Sequence, residues 1–197
     1  MGEMIKMVIV LTALSVVSGG SLAGLKAFTE PKIENQVMNL VKGPAIRQIL
    51  SDAENDPVAD RFKIMDGDIQ RNVFVGVFDE TADTVVMEAS ANGFADKVGM
   101  VVAINMVDST LRGIAVTTHK ETPGLGAMAK DDPTFASQFV GKSIDNTMGV
   151  TNDGGQISAL SGATITSRAV CAGVNNAIAS YNQLKPQLEE QIKSLGK

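Results

Sequence analysis

An uncharged stretch, Met7–Leu25, stands near the start of the chain between Lys6 and Lys26. At ~1.5 Å per residue, a helix of this length approaches the ~30 Å thickness of a bilayer's hydrocarbon core. Two interpretations fit: a retained membrane anchor, or a signal peptide cleaved near the small residues of Ser21–Ala23. We expect a retained single-pass anchor over residues 1–28, followed by one domain over residues 29–197.

The composition limits the chemistry that this domain can perform. A hydrophobic share of 44% supports a core, and a net charge of −5 argues against a nucleic-acid partner, which needs clustered Lys and Arg. The single cysteine, Cys171, excludes an internal disulfide, and the single histidine, His119, excludes a multi-histidine metal site. We therefore predict no metal site and no catalytic residue, and we expect a bound cofactor to supply any redox chemistry.

The spacing of apolar residues predicts the secondary structure. Residues 33–41 favour a helix that begins near Thr29, is interrupted at Gly43–Pro44, and is followed by a short helix over residues 45–50. A last helix should begin at Ser161 or Gly162 and end or kink at Pro186. Its predicted apolar stripe is Val170, Val174, Ile178 and Tyr181.

Short runs rich in β-branched residues predict the sheet. They lie between turn-forming residues and indicate three or four antiparallel strands, over residues 73–78, 84–89, 98–105 and 111–119. A small antiparallel sheet flanked by helices is an α+β fold.

The first stretch that could carry chemistry is THKETPGLGAMA, residues 118–129, after the last predicted strand. Pro123–Gly124 suits a type II turn, and Gly126 permits a second tight bend or a close backbone approach. A well-made loop accounts for these features. It leaves unexplained the acid and the hydroxyl beside the turn, Glu121 and Thr122, and rigidly held loops often carry function.

The second stretch, SALSGATITSRAV, contains more hydroxyl groups than the single one needed to cap a helix. We interpret Ser161 as the N-cap. The free amides and positive dipole end of a helix N-terminus suit a phosphate, and Gly162 would let the backbone approach it. The residues alone thus predict a phosphate-bearing ligand, and they leave open its identity and whether a hydroxyl is esterified. The hydroxyl residues are Ser158, Ser161, Thr164, Thr166 and Ser167.

SGATITS resembles the flavin-attachment motif of the FMN-binding domain family, and HKETPGLG resembles that family's second signature, which lines the flavin ring. The resemblance implies FMN joined by a phosphoester to Thr166, attached by a separate flavin transferase. Members of the family often have an acidic residue where this chain has Ser158. The other cofactor-binding residues that the resemblance implies are Glu121, Thr122, Gly124, Leu125, Gly126, Ser161, Gly162, Ala163 and Thr164.

Within that family the chain is similar to the G subunits of Rnf-type complexes, which couple electron transfer between ferredoxin and NAD to Na⁺ or H⁺ translocation. The likeness implies an electron relay in the cytoplasmic membrane, with the domain on the extracytoplasmic side and other membrane subunits as partners. Two alternatives remain open. One is a C-type subunit of a Na⁺-translocating NADH:quinone oxidoreductase, and the other is a stand-alone extracytoplasmic flavinylated electron carrier.

Overall fold

A computed structural model of the chain describes residues 2–67 and 69–195. The outer ends of the predicted segments, residues 1 and 197, lie outside the described residues. The chain divides into two compact units, Met1–Leu40 and Val41–Lys197. In chain order the elements are α1 Gly2–Val37, a π-helical turn Met38–Lys42, α2 Gly43–Ile49, β1 Phe62–Asp66, β2 Ile69–Phe78, β3 Thr81–Asn92, β4 Lys97–Asn105, β5 Thr110–Thr118, α3 Met128–Asp131, α4 Pro133–Ser137, a 3-10 turn Thr151–Asp153 and α5 Thr164–Leu195.

The first unit consists mainly of α1. None of the residues of this helix, Gly2–Val37, is buried. By length and composition, this helix can cross a membrane. The predicted helix start at Thr29 is wrong, because α1 runs unbroken through Thr29 and Pro31. The Thr29 hydroxyl donates back to the Leu25 carbonyl at 2.9 Å, a bond that a threonine makes inside a helix and not at its cap.

The predicted interruption at Gly43–Pro44 is displaced by one turn. Pro44 lies in the first turn of α2, where the missing N–H of a proline costs little. The irregularity is instead the π-helical turn Met38–Lys42, directly before α2.

Five antiparallel strands form one sheet in the order β1-β2-β3-β4-β5, so every strand pairs with its neighbour in the chain. The four predicted strands are confirmed as β2 to β5, with most of them longer than predicted. Strand β1 was not predicted. Its central residue, Ile64, is the one buried position of Phe62–Asp66, so its sequence lacks a continuous apolar run.

Helices cover both faces of the sheet. On one face α5 packs against β3, β4 and β1. On the other face, α2 packs against β5 so closely that a Cβ atom on Gly113 would lie 2.9 Å from the Ile49 side chain. The α+β class is therefore confirmed. The residues of α5 that join the core under it include the predicted stripe Val170, Val174, Ile178 and Tyr181.

The last helix does not end at Pro186, as one of the two predicted outcomes had it, since α5 continues through Pro186 to Leu195. The apolar stripe also continues beyond Tyr181, with Leu184 and Leu188 fully buried. Burial of these two side chains offsets the backbone hydrogen bond that Pro186 removes.

Candidate functional site

The two stretches singled out in the sequence meet at one pocket of about 390 Å³. Its wall comes from three segments: the turn between β3 and β4, the loop after β5, and the start of α5. All of the predicted site residues line it except Gly124 and Ser161. The lining residues are Phe94, Glu121, Thr122, Leu125, Gly126, Gly162, Ala163, Thr164, Ile165 and Thr166.

The loop after β5 turns sharply beside the pocket. Gly124 has a φ of +72°, and the Leu125 N–H donates to the Thr122 carbonyl at 3.2 Å. These are the features of the predicted type II turn, in which the third residue needs a positive φ. Gly124 thus shapes the loop that presents Thr122 and Leu125 to the pocket, without lining it.

The start of α5 differs from the prediction. Gly162 has a φ of +74°, and α5 begins only at Thr164, so the prediction of Ser161 as the N-cap is wrong. A different hydroxyl organises the turn: Ser167 Oγ accepts the Leu160 N–H and donates to the Ala163 carbonyl, each at 3.0 Å. The Ser167 N–H already donates to the Ala163 carbonyl, also at 3.0 Å.

Consequently the backbone amides of residues 164–166 form the first turn of α5, where amides have no acceptor within the helix. Gly162 to Thr166 all line the pocket. The positive end of the helix dipole and these amides therefore lie at the pocket wall, an arrangement that suits an anionic group.

A buried hydrogen bond joins the two stretches. The Thr166 hydroxyl donates to Glu121 Oε2 at 2.5 Å, and the two residues are only 2% and 5% exposed. The same carboxylate accepts the Phe94 N–H at Oε2 over 3.2 Å and the Ala95 N–H at Oε1 over 3.0 Å. Glu121 thus connects all three segments of the pocket wall.

The environment of Glu121 keeps its carboxylate ionised at neutral pH. Burial by itself would raise the pKa of Glu121, because it disfavours the charged form. The hydrogen bonds from the Thr166 hydroxyl and from the Ala95 and Phe94 amides outweigh that effect, so the pKa lies below its ordinary value.

Two glycines make room for this carboxylate. A Cβ atom on Gly93 would lie 2.6 Å from Glu121 Oε1. A Cβ atom on Gly126 would lie 2.7 Å from Thr166 Oγ1 and 2.9 Å from Glu121 Oε2. All three distances are too short for a real side chain, so the contact between Glu121 and Thr166 depends on the absence of side chains at these positions.

Other residues near the two stretches do not line the pocket. His119 Nδ1 accepts the Glu121 N–H at 3.3 Å, a contact that supports the backbone of the loop after β5. Asp153 makes a two-pronged ion pair with Arg168 on α5, at 2.7 and 2.8 Å. The Ser158 N–H donates to Gln138 Oε1 at 2.7 Å. Cys171 is part of the core, and burial raises the pKa of its thiol to about 11.

The pocket fits a flavin nucleotide in size and in chemistry. About 390 Å³ falls within the range of ~300–1,000 Å³ that is typical of small-molecule sites. Exposed apolar side chains at Phe94, Leu125 and Ile165 offer surfaces for an aromatic ring, and Phe94 is 67% exposed. The amides of residues 164–166 offer donors for a phosphate.

Comparisons with known proteins agree with this geometry. The model of the FMN-binding domain family matches residues 93–179, which include every residue of the pocket wall. The G subunit of the ion-translocating oxidoreductase complex of Methanosarcina acetivorans is 31% identical over 89% of this chain and 93% of that protein. The chain belongs to this family of G subunits.

Two further relatives extend the comparison. The G subunit of the Na⁺-translocating ferredoxin:NAD⁺ oxidoreductase complex of Acetobacterium woodii is 31% identical over 91% of this chain and 92% of that protein. The crystal structure of NqrC from Shewanella oneidensis aligns with a TM-score of 0.50 and 27% identity, over 59% of this chain and 62% of that one. The predicted resemblance to the FMN-binding domain family, and to the G subunits, is thus confirmed.

Sequence reasoning missed two residues of the pocket wall, Phe94 and Ile165. Ile165 stands inside the SGATITS motif, between the two threonines that were considered. Phe94 follows Gly93, in a turn that the sequence analysis used only to separate two strands. An aromatic residue directly after a turn glycine, in a chain with only seven Phe, is the signal that could have drawn attention to it.

Proposed function

We propose that this chain is a membrane-anchored electron-transfer subunit that carries FMN covalently on Thr166, within an Rnf-type ion-translocating ferredoxin:NAD⁺ oxidoreductase complex. The observation that carries the proposal is the pocket itself. It is lined by residues of both signature stretches, Thr166 among them, and the Thr166 hydroxyl is hydrogen-bonded to Glu121. The similarity to G subunits over nearly their whole length supports the assignment to such a complex.

The residues of the pocket have distinct roles in this proposal. Thr166 is a tether, and the first-turn amides of α5 stabilise the negative charge of the phosphodiester. Phe94 and Leu125 would offer apolar surface to the flavin ring, and Thr122 would offer it a hydroxyl group. FMN supplies the electron-transfer chemistry, and the chain positions the ring and shields it from water.

The proposal also places the domain on the extracytoplasmic side of the membrane, held by α1. A covalent link retains the cofactor where a dissociated flavin would be lost to the surroundings. Its partners are the other membrane subunits of the complex and, during maturation, a flavin transferase that uses FAD.

Intact mass measurement of the full chain tests the proposal. With an exported flavin transferase in the host, we expect a gain of ~438 Da, the mass of an FMN group attached with loss of water. The gain should disappear in Thr166→Ala and persist in Thr164→Ala, a matched control in the same pocket wall. A transferase retained in the cytoplasm should produce no gain. An unmodified wild-type mass with the exported transferase would contradict covalent attachment.

A second candidate function has one supporting observation, the similarity of the domain to NqrC. In that case the chain would be a C-type subunit of a Na⁺-translocating NADH:quinone oxidoreductase. The match covers 62% of the NqrC chain but 93% of the Methanosarcina acetivorans G subunit, which favours the first candidate. Identification of the membrane subunits that co-purify with the full chain separates the two, and purification without any such subunit would indicate a stand-alone carrier.

A further inference from the structure

The Thr166 hydroxyl differs from the other hydroxyls of SALSGATITSRAV in its partner. It donates to a carboxylate, Glu121 Oε2, whereas the Ser167 hydroxyl donates to a backbone carbonyl. In the part of the chain that the structure describes, no other hydroxyl of this stretch donates to an acidic side chain. We propose that Glu121 selects Thr166 as the attachment hydroxyl and accepts its proton when the flavin is attached, an inference that rests on the covalent attachment proposed above.

The hydrogen bonds of Glu121 fix the direction of proton transfer. Its carboxylate receives the Phe94 and Ala95 amides in addition to the Thr166 hydroxyl. These donors hold it as an ionised acceptor, so the proton of the Thr166 hydroxyl points at Glu121. A lone pair of Thr166 Oγ1 is thereby left free to attack an electrophile.

The surrounding residues hold the contact between Glu121 and Thr166 in place. The pair is almost completely buried, and Gly93 and Gly126 enclose the carboxylate at distances that no Cβ atom would tolerate. Thr164, two residues earlier, lines the same pocket, but among the described residues its hydroxyl makes no hydrogen bond to a carboxylate, unlike that of Thr166. Because both threonines reach the pocket, access alone does not distinguish them, and the contact with Glu121 does.

The attachment step balances with FAD as the co-reactant. Thr166 Oγ1 forms a bond to the flavin-side phosphorus, and the bond from that phosphorus to the bridging oxygen of the pyrophosphate breaks. AMP leaves with the bridging oxygen. The hydroxyl proton passes to Glu121 Oε2 and from there to water, and no group is oxidised or reduced.

The experiment uses the full chain, purified without modification from a host that lacks the flavin transferase, and then incubated with purified transferase and FAD. Initial rates of mass gain are measured against the concentration of the chain. For Glu121→Gln we expect kcat to fall by roughly 10²-fold with KM changed by less than about two-fold, as for loss of a proton acceptor. Asp96→Asn is the matched control: it removes a nearby carboxylate that pairs with Lys120, and its rate should equal that of the wild type.

Gly126→Ala provides an independent variant that retains the carboxylate. The added methyl group would force Thr166 Oγ1 and Glu121 Oε2 apart, so kcat should fall here too. Thermal unfolding of each unmodified variant establishes that it is folded, and if Glu121→Gln is not, Gly126→Ala decides the question. A wild-type kcat in a folded variant, or a raised KM with unchanged kcat, would overturn the role of Glu121. Mass gain in Thr166→Ala would instead overturn the attachment site and with it the proposed function.

Discussion

Glu121 holds a negative charge at a position where water scarcely reaches it. Such a charge is tolerated in a protein interior only when its oxygens have donors, and here a hydroxyl and two backbone amides serve. The same three bonds tie the β3–β4 turn, the loop after β5 and α5 together. This one side chain therefore contributes to both the shape of the pocket and the stability of the domain.

The pH dependence of the domain's stability should reflect the ionisation of Glu121. Since the folded-state pKa of Glu121 lies below its ordinary value, its contribution to stability is fully present above the unfolded pKa and is lost as the pH falls through the folded one. In thermal unfolding of the unmodified protein, Glu121→Gln should therefore lower Tm at pH 7, and the difference from the wild type should shrink as the pH approaches ~3. A difference that stays constant over this range would show that ionisation of Glu121 is not what stabilises the fold.

At the scale of elements, the second half of α5 owes its stability to packing. Leu188 is fully buried beyond Pro186, so Leu188→Ala should reduce the free energy of unfolding by about 2–5 kcal/mol. Gln187→Ala, at the exposed neighbouring position, should change it by less than ~0.5 kcal/mol. Urea unfolding of the two variants measures both values. Equal effects would indicate that the helix beyond Pro186 does not pack on the sheet.

The elements that could be predicted are those whose own residues show the apolar pattern of a buried strand or helix. Strands β2 to β5 contain β-branched runs, and α5 shows its apolar stripe at helical spacing. Strand β1 has a single buried residue, and pairing with β2 makes it a strand, which a local pattern does not reveal. Continuation of α5 through Pro186 likewise depends on contacts with the sheet.

The site divides in the same way. Its two signature stretches could be found from the sequence because turn glycines and clustered hydroxyls are local features. The predicted cap at Ser161 was wrong because the positive φ of Gly162 delays the start of α5. Neither the place of Phe94 in the wall nor the contact between Glu121 and Thr166 could be predicted, since both require distant segments to be brought together by the sheet.

For the whole molecule, the division into two units predicts that they can be separated. Residues 41–197 contain the complete sheet, both of its helical layers and the pocket. A protein lacking residues 1–40 should therefore be water-soluble, unfold cooperatively, and accept the flavin from FAD and the transferase. Size-exclusion chromatography, thermal unfolding and intact mass measure these three properties. Aggregation of this shortened protein would show that the domain needs the first unit in order to fold.

The order of the elements also sets a sequence of events in the life of the protein. Glu121 lies in the loop that follows the last strand of the sheet, and Thr166 lies 45 residues later, in the first turn of α5. During synthesis the hydroxyl thus meets its carboxylate only after α5 has emerged and docked on a finished sheet. If Glu121 has the proposed role, an incomplete or misfolded chain would not receive the flavin and would remain colourless. The yellow colour of bound flavin would therefore identify the molecules whose domain had folded completely.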